Sequence, residues 1–446
     1  MYDSNFRDKS FWLSKGSYIP ASVLQDNIET DVAIIGGGFT GLSTAYHLKK
    51  KEPGLKITLI ESNVIGYGAS GRNAGFNMTL FGLTPSITAL RFGKIRTKEA
   101  QLYMEQAVDT LKDYVTHLNI DCDYEHTGFL CVATSEKYKK RILHEIDFAQ
   151  KLGFKDTEWF DENRLKEEIK SPQYLGAWWK PRCGILNPAK LSWGWKDIVK
   201  NQGVNIFENT KVTDISKNPT HIRLSTENGS VNAKKVVIAT NAWSHLIQPV
   251  KRKQMPAWTH IVLTEPLTEK QFSEIGWQNR QGIEDARNLI HYYRLTSDNR
   301  ILMGGRDVSI SYGDDMEKDL NEITFKGLEN NVRQLFPSLE KIKFTHRWGG
   351  PVSITLDMAP AMGYLGDKRI VYSVGCMGHG VSLTHLNGQT ISDLVLEQKT
   401  ALTDVFFVNR KTIPFPPEPF RNILSKVALS YMHLEDKIYD NNTIRN

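Results

Sequence analysis

One stretch, 31–61, constrains this chain more than any other. Residues 31–35 form a continuous apolar run from Asp31 through Val-Ala-Ile-Ile, as a strand buried on both faces requires. The run opens into Gly36-Gly-Gly-Phe-Thr-Gly41, a helical stretch follows over 42–51, and Pro53-Gly54 closes it. A second buried strand, 57–60, ends on Glu61. The whole is one β-α-β unit. Gly36, Gly38 and Gly41 form G-x-G-x-x-G in the required context, with an acid about 20 residues further on.

That spacing implies a ligand. Gly36 makes the tight turn, Gly38 lets the backbone approach a pyrophosphate, and Gly41 permits close helix–strand packing. The helix N-terminus offers free N–H groups to phosphates. Glu61 can accept bonds from a ribose diol and would repel a 2′-phosphate, so an adenine dinucleotide other than NADP is expected. The glycines alone do not choose between NAD and FAD. Two features favour FAD. A second loop, 66–75, carries Gly66, Gly68, Gly71 and Gly75 and leaves the strand that ends on Glu61. A late strand–glycine–helix unit spans 370–397, and its free helix N-terminus suits the N1–O2 edge of a flavin.

The remaining chain reads as a mixed α/β protein. Spaced apolar residues (Met104, Val108, Leu111, Val115, Leu118) predict a long helix over 97–119, and 161–170 predicts a shorter one. Strands are expected at 211–215, 221–226 and 231–240, with an Asn228-Gly229 hairpin turn. Further strands are expected near 259–263, 289–293 and 301–303, and a basic amphipathic stretch at 420–433, expected to dock on the body. A length of 446 residues allows up to about three folding units.

Composition excludes other classes. The net charge is +6, yet Lys and Arg are scattered among Asp and Glu, which argues against a nucleic-acid stripe. The four cysteines show no metal-ligand spacing, so no metal is expected. Without an apolar secretory region or a run of ~20 apolar residues, the chain reads as cytoplasmic with no transmembrane segment.

Taken together, 31–41 with Glu61, 68–73, 236–243 and 375–380 resemble the D-amino-acid oxidase (DAO) family of FAD-dependent oxidoreductases, in the branch that contains gamma-glutamylputrescine oxidase, with glycine and sarcosine oxidases as relatives. The resemblance implies a Rossmann-like FAD-binding domain assembled from 31–95, 185–250 and 345–400. It also implies an antiparallel-sheet substrate domain from 96–184 and 251–344, an N-terminal arm over 1–30, and a tail over 401–446. By the same resemblance Gly36, Gly38, Thr40 and Gly41 hold the pyrophosphate, and Glu61 the ribose. Ala69, Ser70, Arg72 and Asn73 lie along pyrophosphate and flavin, and Val212 meets adenine by its backbone. Ala239 and Thr240 close the site, while Gly378, His379, Gly380 and Val381 meet the flavin's pyrimidine edge. Phe39, Ser62, Gly68, Ala74, Gly75, Asn241 and Trp243 complete the expected cofactor set. Ala74 stands where relatives usually carry glycine. The segment 355–360, which holds a flavin-linking cysteine in some relatives, has none, so noncovalent FAD is expected.

The implied chemistry is hydride transfer from the carbon beside an amine nitrogen to flavin N5, giving an imine that hydrolyses. Oxygen is the expected acceptor, with hydrogen peroxide as product. A dehydrogenase passing electrons to a quinone or carrier, or a flavoprotein without turnover, are the alternatives. No catalytic triad is legible. Substrate-side candidates are Arg294 and Arg306 for a carboxylate, Tyr292, Tyr293 and Trp348 as aromatic walls, and His379. Cys376 reads as a small buried filler.

Overall fold

The computed structural model describes residues 5–248 and 250–441. Two large sheets organise it. The first has the strand order 361–364, 370–374, 230–238, 27–35, 57–60, 205–207, and a hairpin of 214–217 and 222–225 extends it from 230–238. Its central neighbours are parallel, as their buried apolar runs require. The Asn228-Gly229 turn joins Ile222–Ser225 to Ser230–Ile238 as expected, with Thr226 N–H donating to the Gly229 carbonyl at 3.0 Å. The strand expected at 211–215 runs instead over Asp214–Lys217, because pairing with Ile222–Ser225 sets its register.

The glycine unit lies in the middle of this sheet. The helix Phe39–Lys51 follows the first strand, and the helix Gly380–Val395 follows Ile370–Val374. These two helices press together through small residues. A Cβ at Gly388 would overlap Ser43, and the Ser43 hydroxyl donates to the His385 carbonyl at 2.7 Å. Close packing of the shafts brings both N-termini to one place.

The second sheet has the order 309–310, 255–264, 301–305, 291–295, 282–285, 129–132, 176–180, 158–161. All its pairings are antiparallel except that of Gly282–Asp285 with Phe129–Val132. The long strand Phe344–Ile354 pairs with Met255–Thr264 along this sheet. All of it but Phe344 falls in the segment 345–400 that the resemblance gave to the FAD-binding half, yet it pairs within the second sheet.

The arm ends sooner than residue 30, since Asn27–Ile35 is already strand. Before it, Phe11, Trp12 and Leu13 are buried, Ser10 Oγ donates to the Gly71 carbonyl (2.7 Å), and Trp12 Nε1 to that of Asn73 (2.9 Å). The arm thus braces the second glycine loop. At the other end, the basic stretch is part of a helix, Phe420–Asn441. It is fastened to the second half through Asp436, which accepts the backbone N–H groups of Asn288 and Leu289 at 2.9 Å each. Among the described residues, no helix is long and apolar enough to cross a membrane.

Candidate active site

A cavity of about 310 Å³ lies between the two sheets, where the two helix N-termini meet. Its wall includes Gly38, Phe39 and Thr40 from the first turn, Ala69, Ser70, Arg72, Asn73, Ala74 and Gly75 from the second loop, and Ala239 and Asn241 from the third. Cys376, Gly378, His379, Gly380 and Val381 come from the fourth. Four segments far apart in sequence therefore converge, and all four hold residues expected at the cofactor.

The wall is built to accept negative charge. Neither Gly38 nor His379, the residues at the starts of the two helices, supplies a side-chain cap. The Phe39 N–H donates to Ser70 Oγ at 3.0 Å, and the other first-turn N–H groups, which no N-cap side chain meets, can turn to a ligand. Each terminus favours an anion by roughly 0.3–1 kcal/mol when exposed, and by more when sheltered. The glycines fit for steric reasons. Gly36 sits at φ +109°, and a Cβ there would lie 2.6 Å from the Ala239 carbonyl oxygen. A Cβ on Gly38 would come 2.9 Å from Ser70 Oγ and fill the path beside the first turn. Ala74 is buried.

Glu61 fastens the same turn. Its carboxylate accepts the Gly37 N–H (2.7 Å), the Asn63 N–H (2.9 Å) and the Ser62 hydroxyl (3.2 Å). Burial pushes this carboxyl up, and those bonds oppose the shift. Glu61, Ser62, Gly68, Val212, Thr240 and Trp243 stand outside the cavity wall, as do Gly36 and Gly41. Val212 is half-buried against the first sheet's core. Thr240 pairs with Ser244 (2.8 Å), and Trp243 packs over Gly68.

Of the substrate-side candidates, His379, Tyr292 and Arg306 reach the cavity. His379 Nδ1 is buried with no hydrogen-bond partner in the protein, a polar atom aimed at ligand space. Burial, reinforced by the nearby Lys180 charge, lowers its imidazole to about 4, so it is neutral near pH 7. Tyr292 reaches Thr259 Oγ1 at 3.5 Å. Arg306 pairs with Asp307 at 2.6 Å.

Three candidates do other work. Arg294 is fully buried, and its guanidinium donates to the carbonyls of Leu186 (2.6 Å), Ala74 and Gly75 (3.4 Å each) and, through Nε, Leu295 (2.9 Å). It ties the second glycine loop to the segment at 186 and is spent before any carboxylate arrives. Tyr293 points into the second sheet's core, with its hydroxyl 2.6 Å from that of Tyr174. Trp348 packs with Phe11 and Trp12, and its Nε1 donates to the Arg72 carbonyl at 2.8 Å. Adjacent residues on a strand face opposite ways, which separates Tyr292 from Tyr293. Arg72 also lines the cavity, but its guanidinium is anchored to Asp319 (2.7 Å) and the Tyr67 carbonyl (2.7 Å). Cys376 borders the cavity 3.4 Å from Asn241 Oδ1, and burial pushes its thiol up, so it stays protonated.

Sequence reasoning missed a second space. A vestibule of about 860 Å³ shares His379, Glu284, Asn288 and Met377 with the first cavity. Its floor is the outer face of three strands, carrying Cys131, Trp178, Lys180 and Glu284, and the helix Phe420–Asn441 roofs it with Leu424, Ala428 and Met432.

The residues fit FAD on three observations: two uncapped helix starts, a glycine path too narrow for any Cβ, and an orphaned imidazole nitrogen where they meet. The family pattern described as DAO, FAD dependent oxidoreductase, matches residues 31–394. The chain belongs to this family. It is an FAD-dependent oxidoreductase. Gamma-glutamylputrescine oxidoreductase of Escherichia coli (strain K12) is 32% identical over 428 residues, covering 95% of this chain and 97% of that one. Among solved structures, glycine oxidase from Geobacillus kaustophilus superposes with a TM-score of 0.73 at 21% identity, covering 86% and 99% of the two chains. L-proline dehydrogenase from P. horikoshii gives 0.68 at 22% identity, covering 84% and 96%. Both likenesses bear out the mixed α/β fold with a Rossmann-like FAD-binding half. An oxidase and a dehydrogenase share it, so the fold does not select the acceptor.

Proposed function

We propose that this DAO-family chain oxidises the carbon–nitrogen bond of an amine or amino acid with oxygen as acceptor. Amine, water and oxygen become an aldehyde or keto acid, ammonia or a smaller amine, and hydrogen peroxide. The single observation that carries the reading is the convergence of two uncapped helix starts on a cavity walled by Tyr292, Met377 and a neutral His379. The printed activity of the 32% identical relative supports an amine as substrate.

When bound, FAD supplies the two-electron acceptor. The protein's part is placement and electrostatics. In this reading the N–H groups after Gly38, with Ser70 and Asn73, hold the pyrophosphate, and Glu61 holds the ribose while it fastens the Gly37 turn. Val212 and the segment Ala239 to Trp243 border the adenosine side. The N–H groups of Gly380 and Val381 would meet the flavin edge where negative charge gathers, which is worth most in a water-poor site. Neutral His379 adds a hydrogen bond there without a competing positive charge. Tyr292 and Arg306 border the substrate, and the cofactor is held without a covalent bond.

The test is an anaerobic flavin-bleaching screen over amino acids, N-methyl amino acids and polyamine derivatives, followed by peroxidase-coupled detection in air. Bleaching with stoichiometric peroxide is expected. Bleaching without peroxide would replace oxygen by another acceptor, and no bleaching by any amine would overturn the substrate class. Acid precipitation is expected to release the yellow colour into the supernatant.

A further inference from the structure

The vestibule contains a charged pair that the fold does not need. Alternation along the second sheet sends Leu130, Val132, Ala177 and Ile283 into an apolar core. Their neighbours Cys131, Trp178, Lys180 and Glu284 face the vestibule. Register places Glu284 beside Cys131, and Cys131 beside Trp178. Lys180 and Glu284 thus end on one floor, with side chains only 11% and 8% exposed.

Their pairing is poor. Lys180 Nζ stands 3.9 Å from Glu284 Oε1, beyond hydrogen-bond reach, and rests 4.5 Å above the Trp178 ring. Among the described residues, neither charged group makes a side-chain hydrogen bond. A buried ion pair offsets its desolvation only with close geometry and satisfied lone pairs. The other acids nearby are already committed. Asp285 accepts Arg287 and His291, Glu145 accepts Ser86, and Glu435 meets Arg141. Glu105 accepts Gln101 Nε2 and Asp156 pairs with Arg182, which leaves Glu284, among the described acids of the vestibule, without a side-chain hydrogen bond and bordering both cavities.

We infer, resting on the amine reading above, that Glu284 receives the substrate's ammonium group at the neck between the cavities, with Lys180 holding its place until substrate arrives. The ligand class follows from the space. A molecule of glycine's size would leave most of about 860 Å³ to water. The fitting substrate is an extended aliphatic amine, its chain lying along Leu424, Ala428 and Met432 beneath the roof helix.

The test uses the FAD-loaded protein and a cation that cannot be oxidised. The amine 2,4,4-trimethylpentan-2-amine has no hydrogen on the carbon beside nitrogen, and the matching alcohol is its neutral control. Calorimetric titration at pH 8 is expected to show the amine binding at least tenfold tighter than the alcohol. Glu284→Gln should erase that preference and leave alcohol binding unchanged. Lys180→Met should enlarge it several-fold, because the placeholder charge is gone. Equal preference in the wild type and Glu284→Gln proteins, or a preference weakened by Lys180→Met, would overturn the assignment. Binding of this amine is read without turnover, so failure of the oxidase reading shows separately, in the bleaching screen.

Discussion

The flavin-side cavity and the vestibule adjoin each other but are made of different material. The first is built mainly from backbone: glycines, helix starts and N–H groups, with His379 as its buried imidazole. The second is built from side-chain charges on three adjacent strands and a C-terminal helix. A backbone site depends on the exact volume of glycines and tolerates little. A side-chain site depends on which distant residues the topology brings together, and a single charge can be changed without loss of the fold.

The sharpest way to break this contrast is Gly41→Ala set against Glu61→Gln. A Cβ on Gly41 would overlap the Gly36 carbonyl oxygen, and its helical backbone leaves the atom nowhere to go. We expect loss of about 3 kcal/mol or more and a colourless protein, read by flavin absorbance per chain. Glu61→Gln keeps one acceptor and should weaken FAD by only about tenfold, roughly 1.4 kcal/mol. If the methyl proves milder than the lost charge, the cavity is not backbone-built.

Next in size is Arg294→Met. Removing the guanidinium orphans carbonyls of the glycine loop at roughly 1–3 kcal/mol apiece, so the melting temperature should drop by well over 5 °C. KM for the best amine should hold in the protein that remains folded. A selective rise in KM would restore Arg294 to the substrate site.

Acid should separate the two regions most gently. Burial lowers His47 to about 3 and both His379 and His385 to about 4, all in the flavin-side half. His385 has reason to stay neutral, since its Nε2 accepts the Trp195 indole N–H at 3.0 Å. The unfolded chain takes up protons at these residues near 6.5 while the folded chain does not. Stability is therefore whole above pH 6.5 and falls as pH drops toward 4. Asp285, under the roof helix, is opposed by burial, but Arg287 and His291 hold it at about 2. Its contribution is present above about 4 and is lost only toward pH 2. Melting and flavin release should respond between pH 6.5 and 4, and proteolytic cutting of the C-terminal helix only at lower pH.

The same contrast explains what could be read from sequence. The strand–glycine–helix unit at 31–61 and its echo at 370–397 were legible because backbone geometry demands glycine at fixed local spacing. That residues of 69–75, 239–241 and 376–381 share one cavity could be expected only from the resemblance, since no local spacing relates those segments. Arg294 and Trp348 misled because exposed-looking residue types near strand ends can be internal braces, and only their partners reveal it. Lys180 and Glu284 were invisible. Their meeting depends on Phe129–Val132 lying between two strands more than a hundred residues apart, a parallel pairing that no local pattern announces.

The strand Phe344–Ile354 has a mechanical consequence. It pairs with Met255–Thr264 from end to end, and its last residue reaches the flavin-side cavity. Both strands belong to the second sheet, so any shift of that sheet carries Ile354 and its stretch of the cavity wall with it.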